Sequence, residues 1–379
     1  MESRVRMDAT YEIELRLDGQ LIGDCRSIAQ NLVWRKCRTV YGVDEIDFTL
    51  NDKIFADWCA KRNVTVAQML KPYALDARII RNGEAVIGGY LATMPAYQPK
   101  ADSANLQLRF DGYLNLLAGV YIRPTATTTT TADAMVQGWI IDAETRATNA
   151  GKAFGISAGS IQTLDTIQRT FDNYKPVKEA IVDLCDNVEG AGQFDVIFNP
   201  DRSYDITNQL GRNITSWNLY YPAHLAGQGI VGISAQEVQG FASHIITLGA
   251  GETSSDPNKS TVITSEQTDS TAVTEFGYAE NLTQYSSISV QTTLDQRCAT
   301  DLANAANVQW QPEITLVGRQ TPPSPTGEYS LWIGDEIGIV NTADQTGQTS
   351  GRFRINIIEV SVSGTNAETI KPALERMPS

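Results

Sequence analysis

The sequence predicts a mainly β protein, with two β-barrel domains flanking a small α+β domain. Three observations predict it. Runs near both ends of the chain alternate apolar and polar residues with period two, as in Tyr11–Leu17 (YEIELRL) and Arg352–Ser363. Asp18-Gly19 and Asn82-Gly83 stand between such runs, and these pairs suit type I′ hairpin turns, which need positive φ at both central residues. Between the two ends the apolar spacing changes to that of helices.

In chain order, the first hairpin is Tyr11–Leu17, Asp18-Gly19 and Gln20–Gly23. Asn31–Arg38 and Asp44–Leu50 read as strands. Lys53–Gln68 reads as a short helix, with Trp58 and Met69 as core candidates. Ala77–Arg81 and a long Glu84–Tyr97 flank Asn82-Gly83, and Asn105–Asp111 returns with Leu106, Leu108 and Phe110 on one face. Tyr113, Leu114, Leu116 and Leu117 crowd like a short helix, with Asp111 placed to cap it. Residues 1–112 are expected to form the first barrel. The threonine run Pro124–Thr131 reads as an exposed linker.

A helix is expected from Asp133, which can cap it, through Met135, Val136, Trp139, Ile140 and Ala143. A second spans Pro176–Val188 with Pro176 in its first turn. Phe194–Phe198, an Asn-Pro-Asp-Arg turn and Ser203–Thr207 form a hairpin. Residues 113–210 are the α+β domain. Beyond them Ile214–Tyr220, His244–Leu248, Tyr285–Val290, Glu313–Arg319, Ser330–Val340 and Arg352–Ser363 are strand candidates, and Asp295–Asn307 is helical. Gly249–Thr271, rich in Gly, Ser, Thr and Asp, is expected to be a long mobile loop. Residues 211–379 form the second barrel.

The 379 residues carry a formal charge of −14, which argues against non-specific binding to nucleic acid or an anionic membrane. Met1–Thr10 is polar and charged, without the apolar core of a signal peptide, and no window approaches the length of a membrane-spanning helix. Cys25, Cys37, Cys59, Cys185 and Cys298 are odd in number and scattered, which favours synthesis in a reducing cytoplasm.

Gly155-Ile-Ser157-Ala-Gly159 matches the nucleophile elbow GxSxG, for which only His224 and His244 could serve as base. The preceding KAF is not a buried parallel strand, so Ser157 is expected not to be a nucleophile. Gly227-Gln-Gly229-Ile-Val-Gly232 matches GxGxxG, followed by a possible capping box Ser234-x-x-Glu237 and by Glu252 near the place of a ribose-binding acid. The segment before it is broken by Pro222, so a loop at a barrel edge is the better reading. Two isolated histidines and scattered cysteines match no zinc spacing, and Asp201–Asp205 lacks the glycine and glutamate of a calcium loop. Asp335-Glu336 reads as a turn. No catalytic, cofactor-binding or metal-binding residue, and no cofactor, is assigned. Arg35, Lys36 and Arg38 form a basic segment, read either as edge-strand charges that block pairing or as a contact for an acidic neighbour. Trp34, Trp58, Trp139, Trp217, Trp310 and Trp332 keep a carbohydrate-binding β-protein open as an alternative, beside a serine hydrolase at Ser157.

The order of these elements resembles the tail hub family of long-tailed bacteriophages. The resemblance rests on the hairpin DARIIRNGEAVIGGYL, the junction FDGYLNLL, the helix at Asp133–Arg146, FDVIFNPDRSYDIT, LDQRCATDLANAA and YSLWIGDEIGIV before a long terminal strand. The threonine run and the 249–271 segment depart from it. The resemblance implies a non-enzymatic homotrimer, a ring of six barrels between a sixfold tail tube and a threefold tip. Implied partners are the tail tube or distal tail protein ring, a tip, spike or receptor-binding protein, and the tape measure protein. DNA would pass only in transit, and the location would be the virion tail tip.

Overall fold

The computed structural model describes residues 9–99, 104–171, 174–186, 194–208, 210–221, 229–237, 241–251, 262–285, 288, 290–306, 310–318, 322–326, 330–344, 349–364 and 366–377. The chain forms two compact units. The larger comprises residues 1–187, 191–234 and 313–379; the smaller comprises 188–190 and 235–312.

The larger unit opens with β1 (Tyr11–Leu17) and β2 (Gln20–Asp24), then β3 (Ala29–Cys37), β4 (Glu45–Asn51), β5 (Leu75–Arg81), β6 (Glu84–Leu91), β7 (Ala96–Pro99) and β8 (Ala104–Asp111). Both expected tight turns form. Asp18 and Gly19 have φ of 47° and 83°, and Asn82 and Gly83 have φ of 51° and 82°. The single helix expected over 53–68 is two: α1 (Asp52–Ala60), capped by the Asn51 side chain on two backbone amides, and α2 (Val66–Met69), closed by a Thr65–Gln68 capping box. Trp58 and Met69 are buried as expected. The long strand expected over 84–97 breaks after Leu91, and β7 pairs with the far end of β8.

Gly112 turns the chain out of β8. Its amide donates to the Asp44 carbonyl at 2.7 Å, and a Cβ there would lie 2.5 Å from the Asp44 Cβ, so only glycine fits. Asp111 ends β8 instead of capping the 3-10 helix Tyr113–Gly119, and it accepts the Asn115 amide at 2.7 Å.

Next come β9 (Tyr121–Ile122), β10 (Thr125–Thr131), α3 (Ala132–Asn149), β11 (Ser157–Ile161), β12 (Thr166–Phe171), β13 (Lys175–Pro176), α4 (Val177–Cys185), β14 (Asp195–Phe198) and β15 (Ser203–Thr207). The threonine run is not a linker: β10 pairs with β12, in keeping with the strand preference of β-branched side chains. Asp133 does not cap α3. It is buried, and its carboxylate accepts the Leu164 amide at 2.9 Å. The β14–β15 hairpin forms as expected. Val136, Ile140, Val177, Ile181, Phe194 and Tyr204 pack into one core with Tyr113 and Leu117.

The next strands of this unit are β16 (Asn213–Tyr221) and β17 (Ile230–Glu237), whose end runs into the smaller unit. The smaller unit then holds β18 (His244–Leu248), β19 (Thr264–Thr268), α5 (Ser270–Phe276), β20 (Glu280–Gln284) and α6 (Gln291–Ala305). The chain returns through β21 (Trp310–Val317), β22 (Glu336–Asn341), β23 (Gly351–Val362) and β24 (Glu368–Arg376). The end of the loop expected over 249–271 is instead regular structure, because Thr264–Thr268 pairs with β18 and Ser270 begins α5. Residues 252–261 lie outside the described residues. Of the strand expected over Tyr285–Val290, residues 286, 287 and 289 lie outside the described residues, and Tyr285, Ile288 and Val290 are in no strand; the parallel neighbour of β18 is β20. β24 contains Pro372, which disguises it in the sequence.

One sheet gathers strands from both ends of the chain, in the order β17-β21-β24-β23-β3-β4-β8-β6-β5-β1-β2. β23 joins the two sets. Its residues Gly351–Arg354 pair with β22, and Ile357–Val362 pair on with β3. An irregularity at Asn356 marks the change, and β22 also carries β16. A Tyr220–Gly229 bridge links β16 to the start of β17, so these C-terminal strands close a circuit of pairings. The structure is thus mainly β with an α+β part, as expected. Trp34, Phe48, Phe110, Leu316, Phe353 and Ile358 share one core, which both sets of strands line.

Candidate assembly surfaces

The basic segment is not an edge. β3 lies between β23 and β4, and its cations are committed within the chain. Lys36 is buried; its ammonium donates to the Asp44 carboxylate at 2.5 Å and to the Phe198 carbonyl at 2.7 Å. Arg38 is buried against Asp195 at 2.9 Å and donates to the Asn356 side chain at 3.0 Å. Arg35, more exposed, pairs with Glu45 at 2.7 Å. These contacts fasten the β14 hairpin and the irregularity in β23 to the end of β3. A cavity of about 20 Å³ beside Lys36 and Cys37 is too small for an organic ligand.

Two further buried ion pairs tie distant segments. Arg81 of β5 grips Glu368 of β24 with two bonds of 2.6 and 2.7 Å, and the Tyr11 hydroxyl donates to the same carboxylate. Burial, then the neighbouring Glu368 charge, push the Tyr11 phenol well above its ordinary range. Burial pulls Arg81 down, but its bonds and charge attraction to Glu368 outweigh that, so it stays charged. Arg202 in the β14–β15 turn holds Asp76 of β5 at 2.6 Å and lies over the Tyr113 ring. The Asp335-Glu336 turn is also an anchor: Asp335 is fully buried and receives Arg212 at 2.6 Å. Sequence reasoning missed these pairs because their partners lie far apart along the chain.

Among the described residues, edge strand β2 pairs only with β1. The Trp58 indole donates to the Asp24 carbonyl at 3.1 Å, and the Arg62 guanidinium lies over the Trp58 ring and against Gly23. That half of the edge is sealed, as edge strands commonly are. Leu21 at the other half is 53% exposed.

The enzymatic motifs do not assemble. Ser157 is exposed at the start of β11, and its amide donates to the Arg202 carbonyl. The motif runs from loop into strand, whereas a nucleophile elbow runs from strand into helix. His244 shares a 2.7 Å bond with the Thr268 hydroxyl, and His224 lies outside the described residues. Of the GxGxxG, Gly227 falls outside the described residues, while Gly229 bridges to Tyr220 and Gly232 lies within β17. Ser234 and Glu237 belong to the same strand, so they cap no helix, and Glu252 is outside the described residues. Asp201 caps its own turn by accepting the Ser203 amide and hydroxyl, which lowers its pKa. No cluster able to hold a metal occurs among the described residues. Trp34, Trp58 and Trp217 are buried, and Trp139 and Trp332 are half-buried against the cores, so none of these five offers an open platform for a sugar. The Trp310 side chain lies outside the described residues.

No family model and no curated protein matches the sequence. Solved structures do match along nearly its whole length. A tail protein from Neisseria meningitidis MC58 aligns over 96% of each chain at 14% identity and a TM-score of 0.62. This is the fold of phage tail proteins. The 43 kDa tail protein of prophage MuSo2 from Shewanella oneidensis aligns over 96% of this chain and 97% of its own at 13% identity, with a TM-score of 0.63. Prophage tail protein gp18 from Listeria monocytogenes EGD-e aligns over 97% and 95% at 11% identity, with a TM-score of 0.57. No helix among the described residues is long and apolar enough to cross a membrane.

Proposed function

We propose that this chain is a structural, non-enzymatic protein of a phage tail, built as a homotrimeric hub. The observation that carries the reading is β23, which divides one edge between β22 and β3 and so joins two sets of strands in one subunit of tail-protein fold. In this reading 1–112 and 211–379 are barrel regions of related topology, separated by the α+β region 113–210. Three subunits would then present six similar faces to a sixfold tube and a threefold face to a tip, a closed symmetry of the usual kind. The partners are the tail tube or distal tail ring on one side, and the tip, spike or receptor-binding protein on the other. The tape measure protein and DNA pass the central channel, whose acidic walls would repel phosphate. The protein is made in the host cytoplasm and located at the virion tail tip. The reading uses no cofactor, metal or catalytic residue.

The test is native mass at micromolar concentration together with particle images. Trimers with a central opening are expected. A monomer that stays monomeric at every concentration overturns the reading. Stoichiometric labelling by a fluorophosphonate, lost in Ser157→Ala, would instead support a hydrolase.

A further inference from the structure

We infer that Lys178 and Asn115 become joined by an intramolecular isopeptide bond, with the Asp111 carboxylate as the base. The inference uses no part of the homotrimer reading and stands or falls apart from it.

Three side chains meet where β8 hands the chain to the α+β part. Asn115 lies in the 3-10 helix Tyr113–Gly119, and Lys178 is the second residue of α4. The Lys178 ammonium donates to Asn115 Oδ1 at 2.9 Å. On the far side of the same amide, Asn115 Nδ2 donates to Asp111 Oδ2 at 2.7 Å. The amide thus has an amine at its carbonyl and a carboxylate at the nitrogen that would leave. The other Asp111 oxygen lies 3.7 Å from Arg109 Nε. No carboxylate pairs with Lys178 among the described residues, whereas Lys175, at the same end of α4, pairs with Asp183. The first turn of a helix is also a poor place for a cation.

The three groups are held in place. The Asn115 backbone amide donates to the Gly112 carbonyl at 2.9 Å, and the Val177 amide donates to the Val120 carbonyl at 2.8 Å. Leu114, Leu116, Val177 and Ile181, which flank Asn115 and Lys178, are buried in one core. Asn115 and Lys178 are themselves half-buried. Tyr90, buried, is the strand partner of Asp111. Burial, then the Asp111 charge, push its phenol well above the ordinary range, and the Asn115 amide interacts with the same hydroxyl. Reactants fixed in contact in this way need little further ordering to react.

The step balances without a co-reactant. The Lys178 ammonium loses a proton to solvent, and the amine lone pair attacks Asn115 Cγ. Both nitrogens then sit on Cγ, and the carboxylate at Nδ2 carries a proton from Nζ to Nδ2. The Cγ–Nδ2 bond breaks, ammonia leaves, and the Nζ–Cγ amide remains. Ammonia takes up a proton from solvent, so one ammonium is exchanged for another. The product ties α4 to the 3-10 helix and closes the chain between them into a loop, which restricts the unfolded state.

The experiment is intact mass spectrometry of the full chain, with peptide mapping after digestion. The wild type is expected to be lighter than its sequence by one ammonia and to yield a branched peptide joining residues 115 and 178. Lys178→Arg and Asn115→Ala are expected at full sequence mass. Asp111→Asn is expected to slow the loss after synthesis by about a hundredfold or more. A wild type that keeps its full mass after prolonged incubation overturns the inference, whether or not any variant folds. An ammonia loss that persists in Lys178→Arg is an imide formed elsewhere and overturns it too. An unchanged rate in Asp111→Asn overturns the role of the base.

Discussion

The two units bury very different cores. In the larger, one cluster is built from Trp34, Phe48, Phe110 and Phe353 with many aliphatic neighbours, and a second from Tyr113, Leu117, Val136 and Phe194. In the smaller, the described cluster consists of Ala242, Ile245, Ala272, Cys298, Leu302 and Ala306. Three of these six are alanines, so each buries little apolar area, at a gain of roughly 25 cal/mol per Å². The larger unit also holds buried ion pairs at Arg38–Asp195 and Arg81–Glu368, while the pair described in the smaller, Arg297–Asp301, joins neighbouring turns of α6. Local stability follows buried contact, and the elements with least of it open first. From this difference the smaller unit is expected to open more readily than the larger.

The largest expected effect lies in the larger unit. Glu368→Ala leaves Arg81 buried without its partner and the Tyr11 hydroxyl without its acceptor. A cost of about 3–5 kcal/mol is expected in denaturant unfolding of the larger unit. A loss under about 1 kcal/mol would show that the pair contributes little and would break the contrast.

Leu302→Ala in α6 is expected to cost about 2–3 kcal/mol, the lower end for such truncations because its surroundings are small. The loss should be local. Hydrogen exchange should quicken in β18 and β19, which flank α6, while β3 and β4 keep their protection. Equal loss in both units would mean that they unfold together.

Cysteine labelling sharpens the same contrast. All five thiols are buried. Burial pushes Cys59 up to about 11 and Cys37 up to about 12, and raises Cys25 and Cys185 as well. Below those values they stay protonated, and the thiolate is the reactive form. At pH 8 a disulfide reagent is expected to label Cys298, in the smaller unit, at least about tenfold ahead of the four in the larger, because reaction of a buried thiol waits on opening and the smaller core is the less extensive. Prior labelling of Cys37 or Cys185 would reverse the ranking.

The smallest effect expected is at a helix end. Asn51→Ala removes the side-chain acceptor of the Ile54 amide at the start of α1 and one of two acceptors of the Lys53 amide, which keeps Asp52. A loss of about 1 kcal/mol is expected in thermal unfolding of the larger unit, with exchange in the smaller unchanged.

What the sequence determined by itself is local. The Asp18-Gly19 and Asn82-Gly83 turns were legible because positive φ at adjacent residues is a demand few residue types meet. β8 was legible from its alternation, α4 from its apolar stripe, and the β14–β15 hairpin from the turn between its strands. The same local reading went astray where two preferences competed. Threonine reads as linker by complexity and as strand by its branched Cβ, and β12 decided for strand. Pro372 argues against a strand, yet it sits in β24 opposite Ile358, beyond the residues where β21 pairs.

Tertiary structure alone decided the rest. That β23 divides its edge at Asn356, that Lys36 and Arg38 face inward, and that Asp335 is an anchor all depend on partners brought together from far along the chain. A strand's alternation states that one face is buried, but not which strand lies beside it. A charge's identity states what it needs, but not what will meet it. Those choices rest on chain closure and packing over the whole molecule, which no short window of residues contains.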